Sequence, residues 1–500
     1  MTTALDLLSR AEARRVTALA GLSSDRQAMF GQFFTNSAAA QFMADMVRLP
    51  ATGTIRILDP GAGSGALTAA LVARVIAEAP QLDIQVTVVE IDTEVTTALH
   101  ATLADCAEAA EAAGARFTST VINDSFIDVA SGLVEQFDVV IQNPPYAKLA
   151  SDDPDRFTTA AIAVDLPNIY AAFVALGITS LAAGGQLVAI TPRSFTNGTY
   201  FSGFRRWLLP QAMFDRIHIF AARDSVFAET GVLQENIIYS MTRTRETPRT
   251  ALLSASHDHQ DTVTRREVDY SEVIHPGDTH LYIRIPSAPE DTELVAAMAA
   301  LPCSLADIGI KVSTGRVVDF RSREQLLTRP LDEHYPMVYP ANLSHGVLTH
   351  PKPSTKPQWF SITEPKDRRW LLPPGTYVLV KRFSAKEERR RLVAGIWSPC
   401  LHGTSPVAVD NKLNYFHADG ESLDAALAMG LAIWLNSDSV DRYFRTFSGH
   451  TQVNATDLRG MRYPSVESLR AMGKKYSELP SAETIDHVVE KFMNTQGVGA

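Results

Sequence analysis

Thr54-Ile55-Arg56-Ile57-Leu58-Asp59-Pro60-Gly61-Ala62-Gly63-Ser64-Gly65-Ala66-Leu67 is the stretch that decides the fold. An apolar strand beginning at Thr54 runs into a turn with glycine at 61, 63 and 65, and Leu67, Leu71 and Val75 then fall on one side of a helix. Glycines in that place let the backbone approach a ligand at the carboxyl edge of a sheet. The G-x-G-x-G spacing differs from the dinucleotide fingerprint, and the charge of Asp59 disfavours a neighbouring pyrophosphate. A nucleoside cofactor without phosphates is compatible with it.

The same alternation continues outward. Strands are expected over 54–57, 86–91, 117–122, 137–142, 186–191, 216–220 and 236–241, separated by amphipathic segments. Near-continuous apolar strands of this kind predict a doubly wound α/β domain, a parallel sheet covered on both faces. Ahead of it, Leu5, Leu8, Val16 and Leu19 predict one helix, and Phe42, Met43, Met46 and Val47 a second, with a cap region at Gly31–Asn36. Beyond Arg243 the chain becomes polar and proline-interrupted. We therefore expect a catalytic domain over 1–245, a linker over 246–300, and a second domain of mixed α and β over 301–500, including a strand at 377–380 and a helix at 422–435.

Two further strand ends are acidic. Glu90 closes the second strand, where a carboxylate can accept from both ribose hydroxyls, and Ile91 follows as an apolar wall for adenine. Asp124 closes the third, in reach of an adenine amino group. Asn143-Pro144-Pro145-Tyr146 closes the fourth strand, Phe137–Gln142. The amino group of an aromatic base is a weak nucleophile because its lone pair is delocalised into the ring. Two acceptors, the Asn143 side-chain oxygen and the Pro144 carbonyl, would draw that nitrogen towards tetrahedral geometry and free the lone pair. The prolines hold the acceptors in advance, and Tyr146 offers a stacking face.

With these motifs the chain resembles the class I, S-adenosylmethionine-dependent DNA methyltransferases that act on adenine N6, in the gamma order, with cofactor motifs first and a target-recognition domain last. The resemblance covers most of the chain. It implies S-adenosyl-L-methionine as cofactor, bound by Thr35, Asp59, Gly61, Gly63, Glu90, Ile91, Asp124, Phe126, Pro145 and Phe173. It implies catalysis by Asn143, Pro144 and Tyr146, with Phe227 sandwiching a flipped adenine. C-terminal segments, 378–391, Leu435-Asn436-Ser437 and 448–454, are similar to recognition domains of modification methylases, some of which read CTGCAG. On that basis Lys381, Arg382, His450, Gln452 and Asn454 are expected to contact DNA, although capping of local backbone is an equal use for some of them.

Composition fits this picture. Forty-five per cent hydrophobic and 20% charged residues in a 500-residue chain suit a soluble protein of two or three domains. The formal charge of −10 argues against nucleic acid until its distribution is read: 352–391 holds eleven cations against four carboxylates, net +7. Duplex DNA is the expected partner, with a separately encoded restriction endonuclease for the same site as a second. Cys106, Cys303 and Cys400 are too few and too scattered for a disulfide framework, which suggests inert core thiols and a cytoplasmic location. No metal site is expected, His257 and His259 reading as a solvated linker. No membrane segment is expected either, the apolar run at 169–183 being too short and rich in alanine. The chain opens on the cofactor region, leaving little room for an N-terminal nuclease, and Glu364-Pro365-Lys366 lacks the strand context of one. Alternative readings are a ribosomal-RNA or protein-glutamine methyltransferase, a cytosine-N4 enzyme, and an inactive DNA-specificity subunit. The long basic C-terminal region, the asparagine at 143 and the intact tetrapeptide respectively weigh against them.

Overall fold

The computed structural model describes residues 4–21, 35–147, 162, 166, 168–220, 235–256, 263–286, 288–384, 389–448 and 452–495. The chain divides into two compact units, Met1–Ser287 and Ala288–Ala500.

In the first unit, helices α1 (Ala4–Gly21) and α2 (Ser37–Asp45) precede β1 (Thr54–Pro60), α3 (Ala66–Glu78), β2 (Asp83–Val89), α4 (Thr93–Ala112), β3 (Arg116–Ile122), β4 (Phe137–Gln142), α5 (Ile169–Ser180) and β5 (Leu181–Pro192). Then come α6 (Ser202–Leu208), β6 (Met213–Phe220), β7 (Asn236–Thr242), β8 (Thr250–Ser256) and β9 (Thr264–Asp269). One nine-stranded sheet results, ordered β3-β2-β1-β4-β5-β7-β6-β8-β9. Strands β1 to β5 run parallel, with Ile57 beside both Val86 and Val139. Helices α1 to α4 cover one face, packing Leu7, Met43, Leu71 and Leu99 on Ile57, Ile141 and Ile190. The other face carries α5, with Phe173 and Val174 against Leu58, Val140 and Leu187.

Several expectations are corrected. The sheet is mixed, because β7 lies antiparallel between β5 and β6; apolar patterning marks a buried strand and carries no information on its direction. Residues 246–300 are no linker: β8 and β9 extend the sheet, and Pro289–Ala299 is a helix of the second unit. Their polar residues alternate with Ala251, Leu253 and Val268, which are buried, as strands with one wet face require. In α1 the buried positions are Leu7, Ala11 and Arg15, whereas Leu5 and Val16 are exposed, since the helix turns a different stripe to α3 and α4. The cap before α2 is Asn36, whose side chain accepts from the Ala39 amide at 2.9 Å. Only Cys106 is a core thiol, and its burial pushes it up to about 12; Cys400 is exposed.

The second unit holds a four-stranded antiparallel sheet in the order Lys311–Thr314, Leu413–His417, Tyr377–Lys381, Ala394–Trp397, and a five-stranded sheet of shorter strands. Helix Ala425–Leu435, capped by Asp424, is buried on nearly every side and crosses helix Val466–Gly473. The crossing is close because Gly430 and Gly473 meet the Leu469 and Ala426 carbonyls there.

Candidate active site

The parallel strands deliver their loops to one edge of the sheet. After β1, Gly61, Gly63 and Gly65 take φ of +72°, +55° and +84°, which side chains rarely adopt. A Cβ on Gly65 would lie 3.1 Å from both Leu99 and Thr102 of α4. The amides of Gly61 and Ala62 donate to the Val89 carbonyl at 2.8 and 3.1 Å, tying the turn to the end of β2. Glu90 completes the tie: its Oε2 accepts from the Gly63 amide at 2.7 Å and its Oε1 from the Asp92 amide at 2.8 Å. Burial raises the Glu90 carboxyl above its ordinary range, against the lowering effect of those amides.

Asp59, at the end of β1, is fully buried, and its Oδ2 accepts from Thr68 Oγ1 at 2.7 Å. Its Oδ1 meets no hydrogen-bond donor among the described residues. Burial first, then the neighbouring Glu90, pushes this carboxyl up to about 7, while Thr68 opposes the shift. Thr68 escapes a reading of the sequence by motif; its place in the first turn of the helix after the glycines is the signal that points to it. Asp124 is exposed and its Oδ1 accepts from the next amide, Ser125, at 2.7 Å. Ile91 is 51% exposed beside the buried Glu90. Phe126 and Phe173 pack together with ring centroids 5.2 Å apart, and a Cβ on Gly61 would come within 3.4 Å of the Phe173 ring. Thus Asp59, the glycine turn, Glu90, Phe126 and Phe173 converge.

Next along the edge, Asn143 follows β4. Its Nδ2 donates to Thr35 Oγ1 at 3.0 Å, and its Oδ1 accepts from the Tyr146 hydroxyl at 3.0 Å. The amide is thus held at both ends, with its oxygen towards Tyr146 and its NH2 towards Thr35. Thr35 is buried, and the turn before α2 brings it 108 positions along the chain to Asn143. The Tyr146 hydroxyl also lies 3.4 Å from the Ile190 carbonyl of β5, and its ring meets Tyr170 edge to face at 6.4 Å. Phe227 lies outside the described residues.

M.PstI, a Type II methyltransferase of Providencia stuartii, is 39% identical over 489 residues, covering 96% of this chain and 96% of that protein. M.BsuBI, a Type II methyltransferase of Bacillus subtilis, is 37% identical over 456 residues, 89% of each. The chain belongs to the Type II methyltransferases of restriction-modification systems. The Eco57I restriction-modification methylase family matches residues 85–227, a span that holds Glu90, Asp124 and Asn143–Tyr146. Among solved structures, the Type IIL restriction-modification enzyme MmeI in complex with DNA aligns with a TM-score of 0.57 at 12% identity, over 98% of this chain and 76% of that one. That likeness is one of fold.

In this methyltransferase the basic run is largely committed to its own unit. Lys352 donates to the Ala341 carbonyl at 2.9 Å, Lys356 pairs with Asp319 at 2.7 Å and Arg390 with Asp486 at 3.0 Å. Arg391 is buried and donates to Ser384 Oγ at 3.0 Å. Arg382 gathers two other expected residues: it donates to Gln452 Oε1 at 3.1 Å, and its carbonyl accepts from the Val453 amide at 2.7 Å, with Lys381 adjacent and partly exposed. Asn454 instead caps a short helix, its Nδ2 3.2 Å from Asp457. Asn436, in another segment similar to recognition domains, pairs with both backbone groups of Ala394 at 3.1 and 2.8 Å, a structural pin. His450, His257 and His259 lie outside the described residues. Among the described residues no group of three metal-ligating side chains gathers, and no helix is long and apolar enough to cross a membrane.

Proposed function

We propose that this methyltransferase transfers a methyl group from S-adenosylmethionine to N6 of an adenine rotated out of duplex DNA. The observation that carries this reading is the Asn143 amide, fixed at a strand end with its oxygen presented beside Tyr146. The neighbouring edge suits a nucleoside cofactor without phosphates. Two buried carboxylates, Asp59 and Glu90, would repel a pyrophosphate, and the Asp59 Oδ1 without a donor suits a cationic ligand. Asp59, Gly61, Gly63, Glu90, Ile91, Asp124, Phe126, Pro145 and Phe173 would hold it. Bound there, S-adenosylmethionine supplies a methyl on a sulfonium, electrophilic without further activation.

The chain's own residues then have one task, to prepare the nitrogen. Asn143 Oδ1 and the Pro144 carbonyl accept the two amine hydrogens and localise the lone pair, and Thr35, hydrogen-bonded to the other end of the amide, holds it in place. Thr35 is thus a positioning residue. Tyr146 stacks on the base, which must leave the duplex because a paired, stacked amine cannot align with the methyl. Methyl transfer from the bound cofactor would leave the nitrogen cationic and acidic, and its proton would pass to water; what these residues supply is positioning. Lys381, Arg382 and Gln452 of the second unit read or hold the DNA. A separately encoded endonuclease for the same site is the expected companion, in the cytoplasm.

Sequencing that distinguishes methylated bases, on DNA treated with the protein and S-adenosylmethionine, tests this, with CTGCAG as the first sequence to inspect. N6-methyladenine at one recurring sequence is the expected result. N4-methylcytosine, or unmodified DNA alongside methylated RNA or protein amide, would overturn it.

A further inference from the structure

Asn236, the first residue of β7, is 4% exposed, and neither its Oδ1 nor its Nδ2 meets a hydrogen-bond partner among the described residues. A buried primary amide with nothing to pair is a standing cost to the fold, and such groups call for a ligand or a role. Its position supplies one. Because β7 is antiparallel to β5, its first residue lies at the same edge as the carboxyl ends of β1 to β5, opposite Pro192. Two residues further in, Ile238 pairs with Ile190, and both belong to the core face that holds Val139 and Ile141 of β4. Side chains alternate along a strand and paired residues share a face. Asn236, two before Ile238, and Asn143, two after Ile141, therefore rise from one face of the sheet, with β5 between them. Gln142 lies beside Ala189, which puts Asn143 level with Ile190, while Asn236 lies opposite Pro192, so two strand spacings and two residues of rise separate them by about 12 Å. The Tyr146 hydroxyl touches both Asn143 Oδ1 and the Ile190 carbonyl of the intervening strand, so the ring proposed to carry the base stands over this gap.

We propose that Asn236 is a specificity-determining residue whose amide donates to a ring nitrogen of the flipped adenine while Asn143 holds the amino group. This rests on the reaction proposed above. A purine spans more of the gap than a pyrimidine can, and every unsubstituted ring nitrogen of adenine is an acceptor, so an NH2 group at the far edge favours adenine over cytosine. The unpaired amide of the free protein is then paired by substrate, and its desolvation is offset on base entry.

Asn236→Leu keeps the shape and removes both polar atoms. In the full chain, with duplex DNA carrying the target adenine, kcat/KM should fall at least tenfold, while the affinity for S-adenosylmethionine is unchanged and Tm is equal or higher. Asn236→Ala gives the same comparison should the leucine variant fold poorly. Single-turnover rates with 1-deaza-, 3-deaza- and 7-deazaadenine at the target locate the contact: one analogue should slow the wild type, and the variant should no longer distinguish it from adenine. A kcat/KM within twofold of wild type, or a variant that loses rate equally for adenine and all three analogues, overturns the proposal and leaves Asn236 a strained core residue. If the wild type itself forms no N6-methyladenine on this DNA, the reaction reading fails instead, and the two failures are told apart in one assay.

Discussion

At the scale of single residues, the Asn143 amide is the proposed centre of the chemistry, and it is held from both ends. Asn143→Ala removes one of the two acceptors, and turnover should fall by two or more orders of magnitude with cofactor affinity little changed. Thr35 offers a finer probe. Thr35→Val keeps its volume but cannot accept from Asn143 Nδ2, so kcat should drop about tenfold with KM nearly constant, whereas Thr35→Ser should recover most of the rate; equal losses in the two variants would reduce Thr35 to packing. Asp59 makes a pH prediction. Its carboxyl, pushed up to about 7 by burial, is protonated below that pH in the free protein, and this contribution to stability is lost as pH rises through about 7. A cationic cofactor favours the ionised form. Calorimetric affinity for S-adenosylmethionine should therefore weaken, by up to about tenfold per pH unit, as pH falls below 7, and stay flat in Asp59→Asn. The same pH slope in both proteins would remove Asp59 from the site.

At the scale of elements, packing is set by where glycine allows backbone to meet backbone. Helix Ala425–Leu435 and helix Val466–Gly473 cross through Gly430, where a Cβ would fall on the Leu469 carbonyl, a backbone atom that cannot swing aside. Gly430→Ala should cost about 3 kcal/mol and lower the melting temperature. Gly203→Ala in α6, with open space at its Cβ, should cost nothing and is the control. Such a crossing is silent in the sequence, since glycine at 430 inside an apolar helix looks only like a weak point in it. The glycines at 61, 63 and 65 are legible because strand, turn and helix follow one another without interruption.

For the whole molecule, the net charge of −10 and the local +7 suggest a basic face on an acidic body. Much of that local charge is engaged inside the second unit, by Asp319, Asp486, backbone carbonyls and the burial of Arg391. Lys381, partly exposed and beside the Arg382–Gln452 contact, is the cation we propose to meet a phosphate. Lys381→Glu should weaken duplex binding and flatten its salt dependence, by about one unit in the slope of log K against log salt for each phosphate no longer neutralised, with affinity for S-adenosylmethionine intact. An unchanged slope in fluorescence anisotropy would move the DNA track elsewhere.

Local order along the chain determined most of the first unit. Runs such as Phe137–Gln142 are buried strands in any context, and Asp59 to Gly65 and Asn143 to Tyr146 are contiguous, so their chemistry is written in consecutive residues. Tertiary structure alone decided what depends on strand direction and distant partners. Antiparallel β7 placed Asn236 at the sheet edge that carries Asn143, and the turn before α2 delivered Thr35 to an asparagine 108 residues away. Residues 246–300 read as a linker because the strands at this end of the sheet show polar residues on their wet face, and the sheet that buries the other face is assembled from residues far away in sequence. Hydrophobic pattern specifies which residues avoid water; it does not specify which neighbour they avoid it with, and the site is made of neighbours.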